Sequence, residues 1–266
     1  MKPSNVRIAI TTMVIVVALG FMARQFAQQS IGGDAATERL FLITGALTKL
    51  IALGVAALSA WRVAAGVARE GSARTGWLLL ACGLTALALG QAVLTRYQVV
   101  RNISPFPSAA DILFVLAYPL LIGSMIAFLR SYAASGFPTR DLPILAVIAA
   151  IAAIVIAVPL LAPIVRSSGT TLDKALNIAY PALDLILTVP AVLLLRSTSR
   201  FRGGAVWKVW AALLAGILLT AAGDIAFAFL TVLGQTHLDP AVHALYILAY
   251  GALAAGVLYQ SELMQA

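Results

Sequence analysis

Three ionisable side chains lie inside long apolar stretches: Lys49, Asp184 and Asp224. In hydrocarbon such a group costs on the order of 3 kcal/mol or more unless it is paired or wet, so each demands a partner, a ligand or a proton. Counted from the outer ends of their predicted spans, Lys49 is about nine residues in, Asp184 about six and Asp224 about seven, which puts all three in one layer at roughly 9–14 Å. A lysine and two aspartates at one depth could pair. Gln91, Tyr118, Tyr246 and Tyr250 fall at comparable depth, and Tyr180 shares the helix face of Asp184. Together they outline a ligand- or proton-sensing pocket; the plainer alternative is a structural ion pair that serves specificity and holds no ligand.

A motif leads into this layer. Ser108-x-x-Asp111-x6-Tyr118-Pro119 recurs with identical spacing as Thr170-x-x-Asp173-x6-Tyr180-Pro181. Its first half reads as a capping box, in which the hydroxyl accepts from an early backbone N–H and the carboxylate reaches back to the cap. Asp239-Pro240 reads as an N-cap followed by proline at the first helical position. Capping does not account for the tyrosine seven residues on, which lies two turns further along the same face; Asp239 and Tyr246 repeat that spacing. Pro119 and Pro181 predict kinks that free the carbonyls of Val115 and Asn177, tolerable only against protein or a wet cavity, so this face is expected to point inward.

Other chemistry is thin. His237-x-Asp239-x-x-x-His243 contains the two histidines of the chain and, by residue type, a divalent-metal set, but its spacing is no metal signature and Asp239 already caps a helix. The default for both rings is an interfacial position, and no cofactor is expected. The single Cys82 lies in an apolar run as a small packed hydrophobe. Neither His-Glu-x-x-His nor Gly-x-Ser-x-Gly occurs, so no intramembrane enzyme is read here.

The elements that must position these residues follow from composition. With 62% hydrophobic and 11% charged residues among 266, the chain is far more apolar than a soluble domain. It reads as an all-α, polytopic integral membrane protein of one domain. Eight spans are predicted, at about 7–23, 40–61, 76–95, 109–129, 142–165, 178–196, 207–231 and 241–260, each near the roughly 20 residues a bilayer requires. The first is expected to be an uncleaved signal anchor. Leu142 to Val165 has no polar side chain and should face lipid or fill space between helices.

Orientation follows from the basic residues. A cytoplasmic N-terminus puts Lys2, Arg7, Arg62, Arg69, Arg74, Arg130, Arg140, Arg196, Arg200, Arg202 and Lys208 inside, and only Arg24, Arg39, Arg96, Arg101, Arg166 and Lys174 outside. Both termini are then cytoplasmic. Trp61, Trp77, Trp207 and Trp210 fall at inner helix ends, where an aromatic belt is expected. The net charge of +8 resides in short clusters at span ends, which suit anionic headgroups rather than nucleic acid.

Pro107-Ser108-x-x-Asp111-x6-Tyr118-Pro119, then Tyr180-Pro181-x-x-Asp184, then Gly223-Asp224 resemble, in this order, the multi-helix membrane sensor region at the N-terminus of bacterial GGDEF/EAL cyclic-di-GMP signalling proteins. The resemblance covers about residues 76–260. It implies a sensory input module in the cytoplasmic membrane of a prokaryote, here without the catalytic domain, acting through a cytoplasmic signalling enzyme or another membrane subunit. The basic segments Arg62 to Arg74 and Arg196 to Lys208 would be the contact surface. The alternative is a small-solute or proton-coupled transporter, given the acids, prolines and a parallel repeat. A scaffold or assembly subunit is the third reading.

Overall fold

A computed structural model describes residues 3–31, 35–68, 71–132, 142–199, 202–233 and 239–265; some side chains within these ranges, that of Asp239 among them, are not described. It contains α1 (Pro3–Ile31), α2 (Ala35–Gly66), α3 (Ser72–Val100), α4 (Ala109–Tyr132), α5 (Leu142–Arg166), α6 (Thr171–Ser197), α7 (Ala205–Leu233) and α8 (Asp239–Leu263). All eight predicted spans are helical, each running a few residues beyond the apolar core at one or both ends. Seven of the eight, α5 excepted, carry a described stretch long and apolar enough to cross a membrane. The protein is an all-α polytopic membrane protein.

Six helices close a ring in the order α2, α3, α4, α6, α7, α8, with α8 returning to α2. Helix α1 packs on α8 and α2 from outside, and α5 lies on α6 and α7. The outer position of α5 agrees with the lack of polar side chains from Leu142 to Val165: Ile144, Val147, Ile151, Val155 and Val158 are all exposed on the bundle surface. At the far ends of the chain, Arg7 of α1 pairs with Glu262 of α8 at 2.8 Å and its guanidinium lies 4.8 Å above the Tyr259 ring. Both ends of the described chain therefore share one face of the bundle.

Helices in lipid gain little from hiding apolar surface from one another, so small residues that let backbones approach set the contacts. Gly76, Gly83 and Gly90 of α3 step by seven, and opposite them stand Phe128, Leu121 and Phe114 of α4, stepping by seven in reverse. This is the antiparallel heptad register. The α7–α8 seam has the same form, with Gly216 under Leu253, Gly223 under Tyr246 and Gly256 under Leu213. A Cβ at Gly90 would stand 2.7 Å from the Phe114 ring and 3.2 Å from the Ala110 carbonyl oxygen, whereas one at Gly54 meets nothing within 4 Å. Gly90→Ala is expected to lower stability by about 1–2 kcal/mol through overpacking. Gly54→Ala should be neutral or mildly stabilising. Unfolding midpoints in detergent mixtures check the pair; equal effects would remove the seam from the account.

The half of the ring where α3 begins and α4 ends is filled by aromatics. Phe128 and Trp210 have ring centres 4.7 Å apart, Trp77 lies 5.1 Å from Phe128, and the Trp210 indole N–H donates to the Tyr132 hydroxyl at 3.4 Å. This corrects the expectation of a belt: Trp77 and Trp210 are buried, while Trp61 is exposed and donates to the Thr85 hydroxyl at 3.1 Å. Their positions near helix ends are as expected, but the α3–α4–α7 contact draws two of them inward.

Candidate functional site

At the opposite end the ring opens into a cavity of about 1160 Å³. Each ring helix supplies polar lining: Lys49 from α2, Gln91 from α3, Asp111 and Tyr118 from α4, Tyr180 from α6, Asp224 from α7, and Tyr246 and Tyr250 from α8. The rim is formed by Arg24, Glu38 and Arg39 and by the α3–α4 connection around Ser104 and Phe106. Arg24 reaches Glu38 at 3.5 Å and covers the Phe41 ring.

The acid side is a network of phenols and carboxylates. Capping fixes Asp111: its Oδ2 accepts the Ser108 backbone N–H at 2.6 Å, and the Ser108 hydroxyl lies 3.1 Å from the same oxygen. Its Oδ1 accepts the Tyr180 hydroxyl at 2.6 Å. One turn below Tyr180 on α6, Asp184 receives the Tyr118 hydroxyl at 2.8 Å. Parallel helices α4 and α6 are thus cross-linked twice, Tyr180 to Asp111 and Tyr118 to Asp184. The two copies of the motif do not lie level, because these bonds join residues 69 and 66 apart, more than the repeat spacing from Asp111 to Asp173. Sliding α6 by one to two turns brings its tyrosine, rather than its capping aspartate, opposite Asp111.

Tyr118 also lies 3.0 Å from Asp224 Oδ2, and Tyr246 donates to Asp224 Oδ1 at 2.5 Å. Close approach over Gly223 is what sets the Tyr246 ring beside Asp224. A phenol has a single hydrogen. Tyr118 can donate it to one aspartate only, and its contact with the other is a hydrogen bond when that carboxyl group supplies the hydrogen. The remaining oxygen of Asp184, Oδ2, is buried without a partner beside an apolar chamber of about 40 Å³. That chamber has room for a water or two.

The basic side is separate. Lys49 is buried, its ammonium 3.1 Å from Nδ1 of His243 and 5.9 Å from the centre of the Tyr246 ring. Among the described residues no carboxylate pairs with it. The expected pairing of Lys49 with Asp184 or Asp224 is therefore corrected. Helices α2 and α6 are not neighbours in the ring, so equal height does not bring Lys49 to Asp184. Toward Asp224 of α7, the intervening α8 presents Tyr246 instead.

The other predicted residues divide as follows. Gln91 is buried and donates to Thr95, whose hydroxyl donates to the Ala46 carbonyl at 3.4 Å. Tyr250 is buried with its ring centre 6.2 Å from that of Tyr246. Thr170 and Asp173 form the expected capping box at the start of α6, exposed and outside the cavity. Asp111, in contrast, is a cap and a cavity residue at once. Both prolines sit within continuous helices; Pro181 is buried and Pro119 is exposed, while Asp111 and Tyr118 of the same motif turn inward and line the cavity.

Of the histidine pair, His237 and the side chain of Asp239 lie outside the described residues, while α8 does begin at Asp239. His243 is half-buried in the cavity wall beside Phe21, and its Nδ1 accepts from Lys49. Among the described residues no three His, Cys, Asp or Glu side chains are grouped to hold a metal.

The side chains of two buried cavity residues are not among those the sequence singles out for a site. Gln98 and Asn177 both line the cavity, both are buried, and Gln98 Oε1 and Asn177 Oδ1 have no hydrogen-bond partner. Their polarity within the 76–95 and 178–196 neighbourhoods was visible, but only packing shows that they face the ring interior. In comparisons with protein-family models, curated proteins and solved structures, nothing matches this chain.

Proposed function

We propose that this protein is a membrane-embedded sensory input module that binds a small polar solute in the outer half of its bundle. The observation that carries this reading is the dead-end form of the cavity: polar and open at one end, and followed in the other half by the packed Trp77, Phe128 and Trp210 cluster. A binding chamber keeps one mouth, whereas a transporter opens its site to the two sides of the membrane in turn, so access from each side separates the two. The Lys/Arg bias supports a mouth on the non-cytoplasmic side, and the resemblance supports the inner membrane of a prokaryote. The resemblance of the Tyr118-Pro119, Tyr180-Pro181 and Asp224 helices to cyclic-di-GMP sensor regions supports the same role. Bound solute would shift helix packing, and the basic segments Arg62 to Arg74 and Arg196 to Lys208 would pass the change to a signalling enzyme or membrane subunit.

Accessibility tests this without knowledge of the solute. Thr220 lines the cavity with its hydroxyl bonded back to the Gly216 carbonyl. In a Cys82→Ser background, Thr220→Cys is expected to react with a membrane-impermeant maleimide added to whole cells and not in inverted vesicles. Reaction from both faces would replace the sensory reading by transport, and reaction from neither would remove the cavity as a solute site.

A further inference from the structure

We propose that the ligand of this cavity is a small zwitterion, with its anionic group at Lys49 and an N–H-bearing ammonium at Asp224. The proposal rests on the reading of the cavity as a binding site and adds the chemical class of what fills it.

The charges are laid out for it. Lys49 is a buried cation whose described polar partner, His243 Nδ1, accepts a hydrogen bond but brings no negative charge in return. Asp224 and Asp184 share Tyr118 and, among the described residues, have no cationic partner. Uncompensated charge of each sign in one chamber calls for a molecule that carries both. A simple anion would answer Lys49 and leave the acids as they are; a simple amine would do the reverse.

The spacing limits size. Tyr246 stands between the two poles, its ring centre 5.9 Å from the lysine nitrogen and its hydroxyl 2.5 Å from Asp224. A ligand beside that ring meets both poles when its charges are a few bonds apart, the dimensions of an amino acid with a short chain. Among cations, the acceptor at this pole selects the type. Asp224 lines the cavity as a hydrogen-bond acceptor. A primary ammonium has hydrogens to give it, and a quaternary one has none.

The test uses the full-length protein in nanodiscs and titration calorimetry with matched probes: β-alanine and γ-aminobutyrate against propionate, butyrate, propylamine and butylamine. The amino acid of each set is expected to bind at least about tenfold tighter than either half-molecule, the increment of one charge-assisted hydrogen bond. Trimethylation of its nitrogen should remove that advantage. Lys49→Met should reduce the amino acid to the affinity of the amine, Asp224→Asn to that of the carboxylate, and Lys49→Arg should restore the preference. Half-molecules binding as tightly as the amino acids in the wild-type protein, or no binding by any member of either set, would overturn the proposal, and this comparison needs no variant to fold. Either result leaves the maleimide experiment, and the sensory reading it tests, standing separately.

Discussion

Tyr118→Phe is expected to cost about 3 kcal/mol or more of stability, the loss of one oxygen atom notwithstanding. The phenol lies 2.8 Å from Asp184 and 3.0 Å from Asp224. Without it Asp184, already lacking a partner at Oδ2, loses the phenol at Oδ1 in a wall made, apart from Thr220, of leucine, isoleucine and methionine. Removing one member of a buried pair leaves the other to bear its full desolvation cost, whereas removing both is nearly neutral. Tyr118→Phe should therefore cost clearly less in an Asp184→Asn background than in the wild type. Unfolding midpoints of the four proteins give the coupling directly. Strictly additive costs would show that Tyr118 does not hold the two aspartates together. The hydrogen count at Tyr118 has its own signature: the carbonyl stretch of a protonated carboxyl in the infrared spectrum, present in the wild type and lost in Asp184→Asn or Asp224→Asn.

That network shows what a sequence can reveal about a membrane bundle. Position along the helix axis is legible, because each apolar run supplies its own ruler; Lys49 and Asp224 line the cavity at one end of the ring, and Asp184 bonds the same Tyr118 as Asp224. Direction around the axis is less so. Whether Lys49 meets Asp184 depends on ring order, and nothing local to α2 or α6 says that α3 and α4 separate them on one side and α7 and α8 on the other. Relative height between helices is hidden too. The repeat of Ser/Thr-x-x-Asp-x6-Tyr-Pro invites a level alignment of its copies, yet packing slides α6 so that Tyr180 stands opposite Asp111. The glycines mark a middle case. Gly76, Gly83 and Gly90 announce a helix packed closely along one stripe, but not that Phe114, Leu121 and Phe128 of α4 fill it.

The sliding of α6 makes two sequence-equivalent aspartates physically unequal, and substituting each by alanine measures the difference. Asp173 caps α6 at the surface: its Oδ2 accepts the Thr170 backbone N–H at 2.7 Å, and the box touches nothing else in the cavity. Asp173→Ala should cost about 1 kcal/mol, the usual worth of a cap. Asp111 makes the same reach to Ser108 but is buried and also receives the Tyr180 hydroxyl. A charged acceptor adds about 1.5–3 kcal/mol to the cap, so Asp111→Ala should cost about 2.5–4 kcal/mol. Tyr180→Phe separates the two contributions. It should be nearly without further effect once Asp111 is alanine, and should retain its full cost when Asp173 is alanine. Equal losses for the two aspartates would mean that both are caps alone, and the cavity would lose α4 and α6 as a cross-linked wall. If the losses differ as expected, one copy of a repeated helix start has been turned into part of a site by a shift of one to two helical turns. The wall it builds is the one that Asp224 completes, with Asp184 held behind it by Tyr118.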